Sequence, residues 1–305
     1  MNLRDKIQHQ YNIAGMTEKL IAINVFVFVV FILLQVVSFL FQAEGWLEII
    51  RDWLILPRQL SEFIYKPWTI ISYAFLHAGF WHILSNMIIL FFSGRFFLTF
   101  FSPKRLLNYY FLGAIAGGIF FLASYNIFPV FADGKNYTLV GASASVMAIL
   151  VGVAAYAPNM MLRFFMFNIK LWWIAAFFVV KDFVMIPVEN PGGHIAHLGG
   201  AALGYFYTTQ LSQGRDIGLW FEKLMDNISG IFSKKKKKKK TPFKKVYKNK
   251  RKPSGKRGPF TAKTSKSDQA EKQKKIDEIL DKISKNGYES LSKEEKDFLF
   301  NAGKN

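Results

Sequence analysis

The sequence predicts an all-α membrane protein with six transmembrane helices, followed by a basic, mostly disordered linker and a small C-terminal helical hairpin. Three observations lead to this prediction. The 305 residues are 51% hydrophobic, yet the formal net charge is +19. Residues 212–305 contain 27 Lys and Arg against 12 Asp and Glu, so most of the excess charge lies at the C-terminal end. One compact soluble domain rarely combines these properties, so two physically different regions are expected.

Six apolar runs are each close to the roughly 20 residues that cross a bilayer as a helix. They cover residues 20–41, 79–100, 106–127, 139–157, 170–188 and 193–211. The first run is too long for the core of a signal peptide, and no small-residue cleavage pattern follows it. We therefore interpret it as a retained span, which predicts a short N-terminal segment over 1–19 and a six-span domain over 20–211.

The charges of the connecting loops predict the orientation. The loop with Lys104 and Arg105 contains no acidic residue, and neither does the loop with Arg163 and Lys170, whereas residues 42–67 mix both signs. The positive-inside rule then places both termini in the cytoplasm. Spans two, four and six all enter from the outer face. The expected location is the plasma membrane of a bacterium.

The stretch Lys234–Lys266 holds 17 basic residues and no acidic one, including seven consecutive lysines. Such a composition cannot bury enough apolar surface to fold. Residues 212–266 are therefore predicted to be a disordered linker that attracts anionic lipid head groups. The aromatic residues in it are too few to form a platform for base recognition, so specific nucleic-acid binding is not expected.

The last segment, 267–305, is predicted to be a helix-turn-helix module. Its first helix has one apolar face, formed by Ile276, Ile279, Leu280 and Ile283. Asn286 and Gly287 end that helix, and the sequence SKEE from Ser292 is typical of a capping box that opens a second helix.

Polar groups inside the spans are costly and are functional candidates by default. Ser143 and His197 each lie about four residues inside their spans and His82 about three, which is roughly 5–6 Å at 1.5 Å per residue. Asn86 lies one turn deeper than His82 on the same face. A serine, a histidine and a His/Asn pair at one level on three co-directional helices can supply a nucleophile, its base and oxyanion donors.

Each candidate has a plainer interpretation. A serine such as Ser143, taken alone, is more often a packing residue that is hydrogen-bonded to the preceding turn. Its depth matches that of His82 and His197, and this favours a catalytic role. His194 is expected in a loop mouth, solvated or bonded to backbone. Lys181 and Asp182 are expected to form a self-neutralising pair that faces water. A metal site built from histidines is disfavoured, because the sequence has no HExxH motif and no carboxylate joins the cluster.

Small residues predict close helix contacts. Gly200 and Gly204 form a small-xxx-small ridge on span six, and Gly141 and Ala144 help to keep span four slim.

Three motifs carry a family resemblance. The sequences HAGFWHILSN (77–86), GASA (141–144) and AHLGGAALG (196–204) resemble, in order and spacing, the signatures of the rhomboid intramembrane serine proteases. The resemblance covers about residues 20–211 and implies the six-helix rhomboid bundle. It implies Ser143 as nucleophile and His197 as general base of a dyad that needs no acidic residue.

The resemblance also implies supporting roles. His82 and Asn86 would donate hydrogen bonds to the oxyanion beside the Ser143 backbone N–H, and His77 would hold the loop before span two. The remaining motif positions are Gly141, the leading glycine, and the supporting residues Ala144, Gly199, Gly200 and Gly204. Ala144 departs from the family, which usually has glycine there. No cofactor is implied.

The predicted function is that of an intramembrane serine endopeptidase that cleaves single-span membrane proteins in or near their transmembrane helices. The alternative is a catalytically impaired rhomboid-like protein that acts as a membrane-protein scaffold or chaperone. Inactive relatives lack the serine or the histidine, and this chain keeps both. A transporter or channel ranks third, because no inverted repeat of the spans is visible.

Overall fold

The structure of the chain, a computed structural model, describes residues 13–43, 45–132, 137–164, 167–232 and 266–302, together with residues 2, 5 and 9. The chain divides into two compact units, 1–237 and 238–305. Most of the predicted basic linker lies outside the described residues.

The first unit is built mainly from helices. In chain order they are α1 (Met16–Leu40), α2 (Gly45–Asp52), α3 (Leu60–Tyr65), α4 (Thr69–Ser72), α5 (Phe80–Phe100), α6 (Pro103–Ile127), α7 (Ser143–Tyr156), α8 (Leu171–Met185), α9 (Pro191–Ser212) and α10 (Leu219–Phe232). Short 3₁₀ turns follow α4 and α6.

Two small antiparallel sheets connect the helices. Strand β1 (Leu56–Pro57) pairs with β2 (Thr138–Leu139), which places the segment before α7 beside the first loop. Strands β3 (Met161–Phe164) and β4 (Phe167–Lys170) form a hairpin between α7 and α8.

The unit is an integral membrane domain. Among the described residues, three helices are both long and apolar enough to cross a membrane, namely α1, α5 and α6. Helix α7 is apolar but has only 14 residues. The remaining predicted spans, 170–188 and 193–211, fall on α8 and α9. Many large apolar side chains of α1 and α8 are exposed, as expected for helices that face lipid.

Helix α10 lies where the sequence analysis predicts the start of a disordered linker. Its apolar residues recur at helical spacing, and Phe221 is buried. Lys104 contacts Glu222 and Asp226 of this helix at 3.5 and 2.8 Å. Residues 219–232 are therefore an ordered, amphipathic part of the segment that the sequence predicts to be mostly disordered, and its net composition does not reveal this stretch.

Helix α7 is enclosed by glycines of its two neighbours. A Cβ added at Gly200 of α9 would lie 2.1 Å from the carbonyl oxygen of Ala144, and one at Gly204 would lie 2.2 Å from that of Ala148. On the other side, a Cβ at Gly117 of α6 would lie 2.4 Å from the Ala144 Cβ. Backbones approach this closely only where side chains are absent. The glycines therefore set the distance between the helices that carry the candidate site.

The second unit contains α11 (Lys266–Asn286) and α12 (Lys293–Ala302), joined by a 3₁₀ turn. The Ser292 N–H donates to the Glu295 carboxylate at 2.8 Å, and the Glu295 N–H donates to Ser292 Oγ at 3.2 Å. These reciprocal hydrogen bonds are the capping box that the sequence predicts. Lys282 also contacts the Glu295 carboxylate, at 2.9 Å.

Replacement of Gly200 by alanine tests the helix contact. The added methyl would overlap the Ala144 carbonyl, so α7 and α9 must separate. We expect G200A to lose about 1–3 kcal/mol of stability, the usual cost of overpacking, measured by thermal unfolding in detergent micelles.

The matched control is G230A. Gly230 lies in α10, and an added Cβ there meets nothing within 4 Å. This control should unfold at the wild-type temperature or slightly above it. Equal unfolding temperatures for the two variants would contradict the close packing of α7 and α9.

Candidate active site

Ser143 is the first residue of α7. The sequence predicts that it lies about four residues inside a span that starts at 139, but residues 138–139 form β2 and the helix begins at Ser143 itself. The first N–H groups of a helix have no intrahelical partner and carry the positive end of its dipole. Ser143 therefore lies where backbone donors can bind a developing negative charge.

Gly141 shapes the turn that leads into α7. Its φ angle is +122°, a left-handed conformation that favours glycine. Its N–H donates to the carbonyl oxygen of Tyr73 at 3.0 Å. A Cβ at this position would lie 2.8 Å from Cε1 and Nε2 of His82. Glycine is required here by the backbone angle and by the neighbouring imidazole.

His197 lies in the second turn of α9, whose start is fixed by a helix cap. Asn190 adopts φ +40°, and its side-chain oxygen accepts a hydrogen bond from the Gly193 N–H at 3.2 Å. Pro191 follows at the first helical position, where its missing N–H costs nothing.

The structure brings Ser143 and His197 into direct contact. Nε2 of His197 lies 2.7 Å from Oγ of Ser143. Both side chains are half-buried. A serine hydroxyl within hydrogen-bond distance of an imidazole is the arrangement that activates a serine nucleophile. Ser143 opens its helix whereas His197 lies in the second turn of its own, so the contact does not depend on equal counts of residues into the two helices.

A carboxylate completes this contact from the other side of the imidazole. Asp182 Oδ2 lies 3.1 Å from Nδ1 of His197, and Asp182 Oδ1 lies 2.8 Å from Nδ1 of His194. Asp182 is 1% exposed. Its Oδ1 also accepts a hydrogen bond from Lys181 Nζ at 3.1 Å.

Three expectations from the sequence were wrong at this point. Asp182 does not face water with Lys181 but lies in the interior. His194 is not solvated in a loop mouth; it is 6% exposed and bound to Asp182. A carboxylate, Asp182, does join the histidine cluster. Its expected absence was one of the two arguments against a metal site.

A sequence signal for Asp182 does exist. The buried residues of α8 are Leu171, Ala175 and Asp182, which lie on one helical stripe at spacings of four and seven. The stripe is hard to recognise in the sequence because α8 is apolar on all sides and the adjacent Lys181 is a simpler partner for Asp182.

Asp182, His194 and His197 could also hold a metal ion, since their ligand atoms all lie within 4.8 Å of one another. In the described structure these atoms are hydrogen-bonded to each other.

Of the two predicted oxyanion donors, His82 lies near the turn before Ser143: a Cβ added at Gly141 would lie 2.8 Å from His82 Nε2 and 3.6 Å from Ser143 Oγ. Nδ1 of His82 accepts a hydrogen bond from the Ala78 N–H at 3.3 Å, so the neutral imidazole carries its proton on Nε2. That nitrogen is the one next to Gly141. Asn86 is buried one turn below, and its Nδ2 donates to the His82 carbonyl at 2.8 Å. Its second amide proton remains a potential donor.

His77 packs against His82 in the loop before α5. The two rings meet edge to face, with centroids 5.2 Å apart. Burial, with a further contribution from His82, lowers the pKa of His77 to about 4. His77 is therefore neutral at physiological pH and contacts the ring of a predicted oxyanion donor.

The remaining motif residues fill space around α7 and α9. The Ala144 methyl packs over Gly117 of α6, so the departure from glycine is accommodated between helices. Ser145 is fully buried against the α6 backbone at Gly113. A Cβ added at Gly199 would lie 2.7 Å from the ring of Phe120.

The fold and the site together define a helical integral membrane protein with a serine and a histidine in contact at a helix N-terminus. Residues 65–214 match the rhomboid domain. The chain therefore contains a rhomboid domain, which covers about half of its length. Residues 264–302 match a family of unknown function (DUF6576).

Several curated relatives have similar sequences. RHOMBOID-like protein 12, mitochondrial, of Arabidopsis thaliana is 31% identical over 48% of this chain and 47% of its own length. Rhomboid-related protein 1 of Caenorhabditis elegans is 32% identical over 48% of this chain and 42% of its own. Rhomboid protein 1, mitochondrial, of Saccharomyces cerevisiae is 25% identical over 55% of this chain and 50% of its own. The matched part thus spans about half the length of these relatives.

The buried state of His77 predicts a pH dependence of stability. Its pKa is about 4 in the folded chain and about 6.5 when solvated. The folded state therefore resists protonation, and stability is lost as pH falls from about 6.5 towards 4. We expect H77Q, which does not titrate, to lose less thermal stability than wild type between pH 7.5 and pH 5.

The comparison of slopes controls for the other titrating groups, which both proteins share. Parallel curves of unfolding temperature against pH would contradict the neutral, buried state of His77.

Proposed function

We propose that the chain is an intramembrane serine endopeptidase in which Ser143 is the nucleophile and His197 the general base. The observation that carries this proposal is the 2.7 Å contact between Ser143 Oγ and His197 Nε2 at the N-terminus of α7. The match of residues 65–214 to the rhomboid domain and the retention of both residues support it.

The proposed reaction is acyl transfer. His197 Nε2 takes the proton of Ser143 Oγ as the oxygen attacks the carbonyl carbon of a peptide bond. The same proton then goes to the leaving amine as the C–N bond breaks. Water, activated by His197, hydrolyses the acyl-serine and releases the carboxylate product. The contact between the two side chains supports the first proton transfer without a rearrangement of either helix.

The oxyanion is proposed to bind three donors. They are the backbone N–H of Ser143, Nε2–H of His82 and the free amide proton of Asn86. Their support is the helix terminus at Ser143, the tautomer that Ala78 imposes on His82, and the position of that ring beside Gly141. Donors fixed before the reaction stabilise charge without a cost of reorganisation.

The proposed topology has six spans with both termini in the cytoplasm of a bacterial cell. Three long apolar helices, the apolar α7, and the positions of α8 and α9 support this count. The basic residues Lys104 and Arg105 in the first turn of α6, and Arg163 and Lys170 in the hairpin before α8, support the orientation. The site then lies near the outer surface.

The proposed substrates are single-span membrane proteins whose helices unwind locally near the outer surface. A hydrogen-bonded helical peptide presents its carbonyl poorly to a nucleophile, so the segment must open first. The basic segment after residue 233 is proposed to bind anionic lipid head groups.

A fluorophosphonate probe tests the nucleophile in the purified full-length chain. Attack by Ser143 Oγ forms an O–P bond, fluoride leaves, and the proton passes to His197. We expect wild type to be labelled and S143A and H197A to be reduced to background on a fluorescent gel.

The matched control is S145A, which removes the neighbouring buried serine on the same helix. It should be labelled at the wild-type rate. A wild type that is folded but unlabelled would contradict the enzyme and favour the impaired scaffold.

Removal of the oxyanion donors should lower turnover without unfolding the protein. Loss of one donor typically costs about 10²–10³ in the rate constant, so we expect that range for N86A and H82A, measured as cleavage of a transmembrane peptide in bilayer nanodiscs. The control N126A removes an asparagine that makes the same backbone bond on α6, to the Leu122 carbonyl. Equal rates for N86A and N126A would contradict the role of Asn86.

A further inference from the structure

Asp182 is a buried carboxylate that joins two helices. Of the buried side chains on α8 it alone is charged, and its two oxygens face different partners. In the part of the chain that the structure describes, Oδ1 accepts hydrogen bonds from His194 and Lys181, and Oδ2 accepts one from His197. An ionised carboxylate in the interior costs several kcal/mol unless hydrogen bonds satisfy it. Three donors do so here, and one of them is the proposed general base.

The hydrogen bonds determine which nitrogen of His197 carries the proton. A carboxylate only accepts hydrogen bonds, so Nδ1 of His197 must be the donor at 3.1 Å from Oδ2. A neutral imidazole has one proton, and Nε2 is then left with a free lone pair. That lone pair faces the Ser143 hydroxyl at 2.7 Å. Only this tautomer can accept the serine proton.

We propose that Asp182 is a positioning residue that makes the site a Ser143–His197–Asp182 triad. The proposal rests on the proposed function, and it extends the dyad that the family resemblance implies. Asp182 acts through His197 in two ways. It holds the ring in the tautomer and orientation that face Ser143, and its negative charge stabilises the imidazolium that forms after proton transfer. Asp182 itself stays ionised.

His194 and Lys181 fix the carboxylate. His194 is buried on the same helix as His197, one turn earlier, and its Nδ1 is 2.8 Å from Oδ1. Lys181 approaches the same oxygen from the more exposed side. With Oδ1 bound from two directions, Oδ2 is directed at His197. Among the described residues, the charged and titratable groups around His197 come from three helices. They are Asp182 and Lys181 on α8, His194 on α9, and His82 on α5.

The first test reads the tautomer of His197 directly. The full-length chain is labelled with ¹⁵N-histidine in micelles, and the His197 signals are assigned by their loss in H197Q. Wild type should show the proton on Nδ1, and D182N should shift it to Nε2, because the amide can donate. A wild-type His197 protonated on Nε2 would overturn the proposal, even if D182N does not fold.

The second test compares rates of fluorophosphonate labelling. D182N should react more slowly by a factor of up to about 10⁴, the loss seen when an amide replaces the orienting carboxylate of a serine protease triad. The matched control is D216N, the same substitution at an aspartate bound to Tyr207 and Arg105 at the other end of α9. It should keep the wild-type rate and tautomer.

The outcomes separate this proposal from the proposed function. If wild type is labelled and D182N matches it in rate and tautomer, the triad is wrong and the dyad stands. If wild type is not labelled, the enzyme is wrong, and the NMR signals still decide whether Asp182 sets the tautomer. Loss of labelling on treatment with a chelator, with recovery on addition of Zn²⁺, would overturn the triad in favour of a metal site.

Discussion

The close approach of α7 and α9 is the constraint on which the rest of the structure depends. Gly200 and Gly204 leave no side chain between the helices, so α9 lies directly against the carbonyls of Ala144 and Ala148. A serine on one helix and a histidine on the other meet at 2.7 Å only at such a separation. A methyl group added at Gly200 or Gly204 would push α7 and α9 apart, and the hydrogen bond between Ser143 and His197 would become too long.

Local features then position the reacting groups along these helices. A left-handed Gly141 ends the segment before α7, so that Ser143 lies at the helix N-terminus with its backbone donors. Asn190 and Pro191 start α9 early enough for His197 to reach the same level. Packing sets the distance between the helices, and the caps set their register. Both are needed for the chemistry that we propose.

The sequence was informative where a motif and a helix period agree. The motifs singled out His82, Ser143 and His197, and the structure places His197 against Ser143 and His82 beside Gly141. The count of residues into the apolar run was wrong for Ser143, because α7 begins at that residue. Asp182 could not be placed in this way. The height of Asp182 along the helix bundle depends on where the β3–β4 hairpin ends and α8 begins. Its partners His194 and His197 lie 12 and 15 residues further along the chain. Sequence neighbours favoured Lys181 as its sole partner, whereas tertiary packing supplied two histidines.

The central claim is that Ser143 is a nucleophile activated by His197. Peptide mass spectrometry after fluorophosphonate treatment of the full-length chain tests it most directly, because it locates the covalent bond. We predict one phosphonate adduct, on Ser143, in the native protein and none after denaturation. An adduct on another residue, or equal modification of native and denatured protein, would contradict the claim.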